Sequence, residues 1–177
     1  MNVRDAIPIL EDWKLLMTCT DANIYGSTKE LFEKAIHLFA TNDEVNFHNR
    51  RCLSLLSRPV ARSVATRVSS NYSIEGDEEK LANELLIVVG ARVMLTSNLW
   101  IDARLVNGAL GVIEEIVYNP EVSPLEPPTY VLVKFDKYEG DPWDERFTET
   151  IPITPIERGN TRQLPLRLAW GLTIHKS

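Results

Sequence analysis

Ile36-His37-Leu38-Phe39-Ala40-Thr41-Asn42-Asp43 is the stretch that decides the fold class. A short apolar run gives way at once to hydroxyl, amide and carboxylate side chains. The run predicts a buried strand, and Thr41-Asn42-Asp43 predicts a polar strand-to-helix loop leading into a helix from Glu44 to about Leu56. A strand feeding a helix in this way is the unit from which α/β domains are built. Upstream, Ile7, Leu10, Trp13 and Leu16-Met17 recur at helical spacing, so residues 5–18 read as a helix with one buried stripe. A further helix is expected over 27–36, opened by Ser27 or Thr28 as its cap.

Downstream the character changes. Residues 57–80 are mixed and polar, and 78–86 admit a helix. Leu85–Val89 and Arg92–Thr96 read as two β segments around a turn at Gly90. Leu110–Tyr118 and Tyr130–Phe135, rich in β-branched residues, predict two more strands. The stretch between them, 119–128, is too rich in proline for regular structure and reads as a hairpin loop. Ile151-Pro152-Ile153 suits a short edge strand, and the largely apolar Gln163–Ile174 suits a central strand of a parallel sheet. The order is α/β, then short antiparallel strands, then a return to α/β, which predicts a small β module inserted in a larger α/β domain.

The 177 residues have room for one domain or one domain with a small insert, and 44% hydrophobic with 25% charged residues is globular composition. A net charge of −6 excludes a uniformly basic nucleic-acid binder, but its distribution is uneven. Residues 114–149 carry ten acids and three bases, whereas 50–67 carry five arginines and no acid. Arg158, Arg162, Arg167 and Lys176 close the chain, again without an acid. Cys19 and Cys52 are too few for a disulfide scaffold, which favours a reducing compartment. The first residues lack the pattern of a secretory signal, and no apolar run approaches the roughly 18 residues of a membrane span. No glycine is followed by lysine, so there is no phosphate loop. Gly76-Asp77-Glu78-Glu79-Lys80 resembles an acidic box but lacks the apolar strand such a box needs in front of it. The cysteines are far apart and the histidines scattered, so neither a metal site nor a nucleophilic triad is supported.

Two segments carry specific chemistry. The first strand delivers Thr41 and Asn42 to its carboxyl end, where ligands bind in α/β sheets. Hydroxyl and amide groups at a helix N-terminus can hold a phosphate, although Thr-Asn-Asp is also an ordinary helix cap. The second segment is an apolar strand ending in Thr173-Ile174-His175-Lys176-Ser177. This cluster of donors with one fixed positive charge suits a phosphodiester backbone, and His175 can stack on a base. A strand end followed by a plain polar loop is the competing reading.

Taken in order, several stretches resemble the Pif-type DNA helicases of superfamily 1. They are Asp12–Leu16, His37–Asn49, Gly90–Trp100, Leu105–Ile113, Val131–Tyr138, Ile151–Ile153 and Gln163 through Ser177. The set Gly-Ala-x-Val-Met-Leu, Leu-Val-Asn-Gly and Ile-His-Lys-Ser is specific as an ordered whole. The resemblance implies most of the second of two RecA-like motor domains: residues 1–104, a Src-homology-3-like barrel inserted at 105–157, and a truncated return strand at 158–177. It implies that Thr41 and Asn42 touch the DNA backbone or order the loop beside it, and that Thr173, His175, Lys176 and Ser177 contact single-stranded DNA. Gly90, Asn107 and Gly108 would be structural turn residues.

The resemblance implies that the complete enzyme uses ATP and Mg2+, acts in DNA repair, recombination and telomere maintenance, and steps along the strand as its two domains alternate their grip. This chain alone would bind no cofactor, because the partner motor domain with the phosphate loop is missing, as are the Gln-Gly after Ser177 and the final arginine motif. No catalytic residue, metal site or membrane contact is expected, and the placement would be nuclear or mitochondrial in a eukaryote. Arg104 stands where relatives often have glycine, so that turn is expected to differ, and Cys19 stands where arginine is common. The alternative is a non-enzymatic remnant or interaction module using the acidic β segment.

Overall fold

The computed structural model describes residues 9–18, 35–68, 81–119, 127–142 and 149–173. The chain divides into two compact units, Met1–Ile36 and His37–Ser177. In the first, α1 (Leu10–Thr18) opens with Glu11 and Asp12, whose charges suit a helix N-terminus. The Asp12 carboxylate accepts the Ile9 N–H at 3.2 Å, and the Thr18 hydroxyl donates to the Leu15 carbonyl at 2.6 Å. The expected buried stripe is corrected here: Leu10, Trp13 and Met17 are all more than half exposed. A single helix has no sheet of its own unit, among the described residues, against which to bury an apolar face. Of the helix expected over 27–36, only Ala35 and Ile36 are described, and they are not helical.

The second unit opens with β1 (His37–Phe39) and α2 (Asn42–Leu55). Thr41 caps α2 through a full capping box: the Glu44 N–H donates to its Oγ1 at 3.3 Å, while its own N–H donates to Glu44 Oε2 at 3.0 Å. β2 (Ala61–Val64) pairs antiparallel with β4 (Glu84–Ile87). Residues 84–86 are therefore strand, and the helical reading of 78–86 fails where it is described. Its apolar side chains alternate into the core, with Leu85 and Ile87 buried, which is strand periodicity.

β5 (Arg92–Leu95), β6 (Leu110–Val117), β7 (Tyr130–Phe135), β8 (Thr150–Ile153) and β11 (Leu166–Leu168) form one antiparallel sheet in the order β11-β5-β6-β7-β8. Its inward positions supply the core, among them Val93, Leu95, Ile113, Val131, Val133, Ile153 and Leu166. β8 is the edge strand that its proline allows. Glu114 is an extra residue in β6, a bulge that brings its carboxylate to the Thr150 hydroxyl at 2.6 Å. The sheet includes β5 and β11, so its hydrogen bonding runs past both ends of the 105–157 segment.

The remaining strands are β3 (Thr66–Arg67), β9 (Ile156–Arg158), β10 (Thr161–Gln163) and β12 (Gly171–Thr173). β10 lies between β3 and β9, and β12 pairs parallel with β1. The single central strand expected over Gln163–Ile174 is thus three short strands in three sheets. Two groups break it. Gln163 turns its side chain onto the next backbone, accepting the Leu164 N–H at 2.9 Å while bonding Ser63, and Pro165 has no N–H to continue a ladder. Only the last piece is parallel.

Turns fall where glycine is required. Gly90 and Gly108 have φ of 94° and 96°. Val106–Ala109 closes through a 2.8 Å bond from the Ala109 N–H to the Val106 carbonyl, with Asn98 Oδ1 accepting the Asn107 N–H at 2.8 Å. Arg104 also lies in the left-handed region at φ 61°, its guanidinium 2.6 Å from Glu139. It holds the backbone conformation that glycine favours despite its side chain.

Candidate nucleic-acid interface

Parallel pairing sets Phe39 opposite Thr173, so β1 and β12 end on the same edge. Thr41-Asn42 follows β1 at that edge, where β12 ends at Thr173. β1 is not the buried strand expected: Leu38 is 65% exposed, and among the described residues β12 is the only strand paired with β1.

The join between α2 and β12 is made by Asn49, which is 5% exposed. Its amide donates to the carbonyls of Leu168 at 3.3 Å and Gly171 at 3.2 Å, and its Oδ1 accepts the Gly171 N–H at 2.8 Å. Gly171 allows the close approach, since a Cβ there would stand 2.7 Å from Phe39 Cε2. In the sequence Asn49 stands only as the end of a motif. Its two-sided amide, able to serve one backbone N–H and two carbonyls, was the available signal.

Beside this join lies a cleft of about 550 Å³. Asn42, Asn46, Asn49 and Arg50 line it from α2, with Leu86, Leu168, Leu172, Arg167 and Thr173 among the residues facing them. Two of the residues proposed from sequence, Asn42 and Thr173, therefore meet in one concavity. Thr41 does not line it: its hydroxyl donates to Glu44 Oε2 at 2.8 Å, and its observed role is the cap. His175, Lys176 and Ser177 lie outside the described residues. Gly90, Asn107 and Gly108 occupy turns away from this cleft; Asn107 and Gly108 line a second concavity of about 500 Å³ with Ile101, Phe135 and Lys137.

The arginines divide. Arg58 donates to the Val89 carbonyl at 3.2 Å and Arg62 pairs with Glu84 at 2.7 Å, so these support the β2–β4 region, while Arg50 and Arg167 face the cleft. The Arg62 hydrogen bond holds the Glu84 carboxyl below its ordinary range. Behind β1, the rings of His37 and His48 lie 4.5 Å apart and Cys52 Sγ is 3.5 Å from His48 Nε2. Burial, then the charges of His37 and Arg51, push the His48 pKa down; burial pushes the Cys52 thiol up, against Arg51. Among the described residues no three His, Cys, Asp or Glu side chains converge as a metal site.

A strand-loop-helix unit whose strand pairs in parallel with a distant one, joined in sequence by an antiparallel β segment, defines a mixed α/β chain. No family model matches the chain. The human ATP-dependent DNA helicase PIF1 is 31% identical over 144 residues, covering 81% of this chain and 21% of that protein. A structure of two Pif1 helicases coordinating in DNA unwinding at forked duplex DNA aligns with a TM-score of 0.62 at 20% identity, covering 98% of this chain and 35% of that one. Bacteroides Pif1 bound to single-stranded DNA aligns at 0.61, also at 20% identity, covering 98% and 38%. The chain is a homologue of the Pif1 DNA helicases, matching one segment of them. It spans about a fifth of the length of the curated mammalian relatives it matches.

Proposed function

We propose that these residues are part of the second motor half of an ATP-dependent DNA helicase, supplying single-stranded DNA contacts and one side of the nucleotide cleft. The observation that carries this reading is the meeting of Asn42 and Thr173 in one cleft at the carboxyl ends of two parallel strands. That edge is where α/β sheets bind ligands. His175, Lys176 and Ser177, next in sequence after β12, belong to the same DNA contact in this reading. The division into motor residues 1–104 and 158–177 with an inserted barrel at 105–157 belongs to the proposal too, as do the N-terminal motor domain as partner and a nuclear or mitochondrial site of action. Among the described residues no helix is long and apolar enough to cross a membrane.

These residues do not by themselves make a phosphate or Mg2+ site. The sequence lacks Gly-Lys, and the described residues offer no converging carboxylates for a metal. Nucleotide chemistry is therefore assigned to the partner domain, and no step of it is assigned here. The acidic β segment gives less support to a protein-docking role than its composition suggests. Asp136 is bound by Arg92, Glu139 by Arg104, Glu149 by Lys134 and Glu114 by the Thr150 hydroxyl, so these acids already have partners within the chain.

The test is fluorescence anisotropy of a labelled oligothymidine with the 177-residue chain across salt. Binding at low salt that falls steeply between about 50 and 200 mM is expected, as for phosphate contacts. Asn42→Ala with Thr173→Val should weaken it. No binding at low salt, or binding indifferent to both salt and this double variant, refutes the reading.

A further inference from the structure

The cleft does not stop at the helix N-terminus. Asn42, Asn46 and Arg50 recur every four residues, which places them on one face of α2, and all three are exposed and line the cleft. Asn49 on the same face is committed to β12, so Asn46 and Arg50 are the groups that carry the polar wall two turns beyond Asn42. The facing wall is apolar at Leu86, Leu168 and Leu172. Such a pairing, amide and guanidinium on one side and aliphatic surface on the other, accommodates a strand with a charged backbone and flat, apolar base faces.

Among the described residues lining this cleft, Glu84 is the one carboxylate. It stands on the far rim with the Arg62 guanidinium 2.7 Å away. The positive charge of Arg50 also reaches it, among the influences that favour its ionised form. Arg50 makes no ion pair among the described residues. Arg51, its neighbour in sequence, is not among the residues lining the cleft; its charge acts on His48 and Cys52.

We propose that Arg50, with Asn46 beside it, binds a phosphate of the nucleic-acid strand, and that Glu84 competes with that phosphate for the guanidinium charge of the cleft. This rests on the strand-binding reading above and adds residues to it. A strand seated at Asn42 and Thr173 continues along α2, and a phosphate further along it meets Arg50. Glu84 then acts as a built-in brake on affinity, weakening binding most where salt is low.

The experiment measures affinities of oligothymidine and oligoadenine for the full chain and for Arg50→Gln, Arg51→Gln and Glu84→Gln across salt. All three side chains are exposed, and melts should confirm unchanged folding. Arg50→Gln should lower the slope of log affinity against log salt by about 0.7, the value of one single-strand phosphate contact. At 100 mM salt that is a loss of about fivefold relative to 1 M, equal for both oligomers. Arg51→Gln should leave the slope near that of the parent chain, and Glu84→Gln should raise affinity. Equal losses from Arg50→Gln and Arg51→Gln mean a general charge effect and overturn the proposal, as does unchanged or reduced affinity in Glu84→Gln. If Asn42 and Thr173 variants weaken binding while Arg50→Gln is silent, only this inference falls. A parent chain that binds neither oligomer removes the strand-binding reading and this inference together.

Discussion

Replacing Asn49 with alanine removes the side chain that joins α2 to β12. Three hydrogen bonds go with it: 2.8 Å from the Gly171 N–H, and 3.2 and 3.3 Å to the carbonyls of Gly171 and Leu168. A net 0.5–1.5 kcal/mol for an ordinary hydrogen bond, with two of these long, gives roughly 2–3 kcal/mol. The site is buried, so water cannot readily replace the lost partners. For a unit of this size that corresponds to a fall in Tm of roughly 6–12 °C. Urea unfolding should show a lower midpoint with an unchanged slope, the sign of lost stability without a change in the surface exposed. Asn46→Ala, exposed on the same face, should stay within about 0.5 kcal/mol of the parent chain. A loss below about 0.5 kcal/mol for Asn49→Ala, or equal effects from both variants, would refute the argument that this amide holds the strand end in place.

Further outcomes follow from the same structure. Arg104→Gly removes left-handed strain of about 1 kcal/mol but adds chain entropy to the unfolded state and loses an exposed ion pair, terms of similar size, so its Tm should stay close to the parent's. Arg104→Val should melt lower, and the reverse order counts against strain at this turn. His48 has a folded pKa below its ordinary 6.5, so its contribution to stability is fully present above that value and is lost as pH falls through the lowered pKa. Chemical unfolding at pH 7.5 and pH 5.5 should therefore show a loss on acidification that His48→Gln reduces; an undiminished loss in that variant removes His48 as its source. The purified 177-residue chain should hydrolyse no ATP above the buffer rate, with or without DNA, and turnover that purifies with the chain contradicts the assignment of nucleotide chemistry to a partner domain.

Local chemistry made part of this structure legible in the sequence. Thr41 followed by Glu44 announces its capping box, and Tyr130–Phe135 forms a strand with the bounds its β-branched run suggests. Gly90 and Asn107-Gly108 mark turns that need positive φ at glycine. What stayed hidden depends on residues distant in sequence. Gln163–Ile174 reads as one apolar strand until Ser63 and Asn49 are seen to hold its two ends in different sheets. The stripe of α1 and the side chain of Leu38 have the composition of core, yet are exposed, because periodicity shows an apolar face without showing what covers it. Arg50 looked like one of five arginines in a basic run; only the cleft separates it from Arg51 and from Arg62, which is occupied by Glu84.

The claim that a strand lies at the carboxyl ends of β1 and β12 is tested most directly by amide hydrogen exchange of the chain with and without saturating oligothymidine. Added protection should concentrate in residues 41–50 and 166–173, with the β6–β8 region unchanged. Protection confined to 110–153, or none anywhere at saturation, would contradict it.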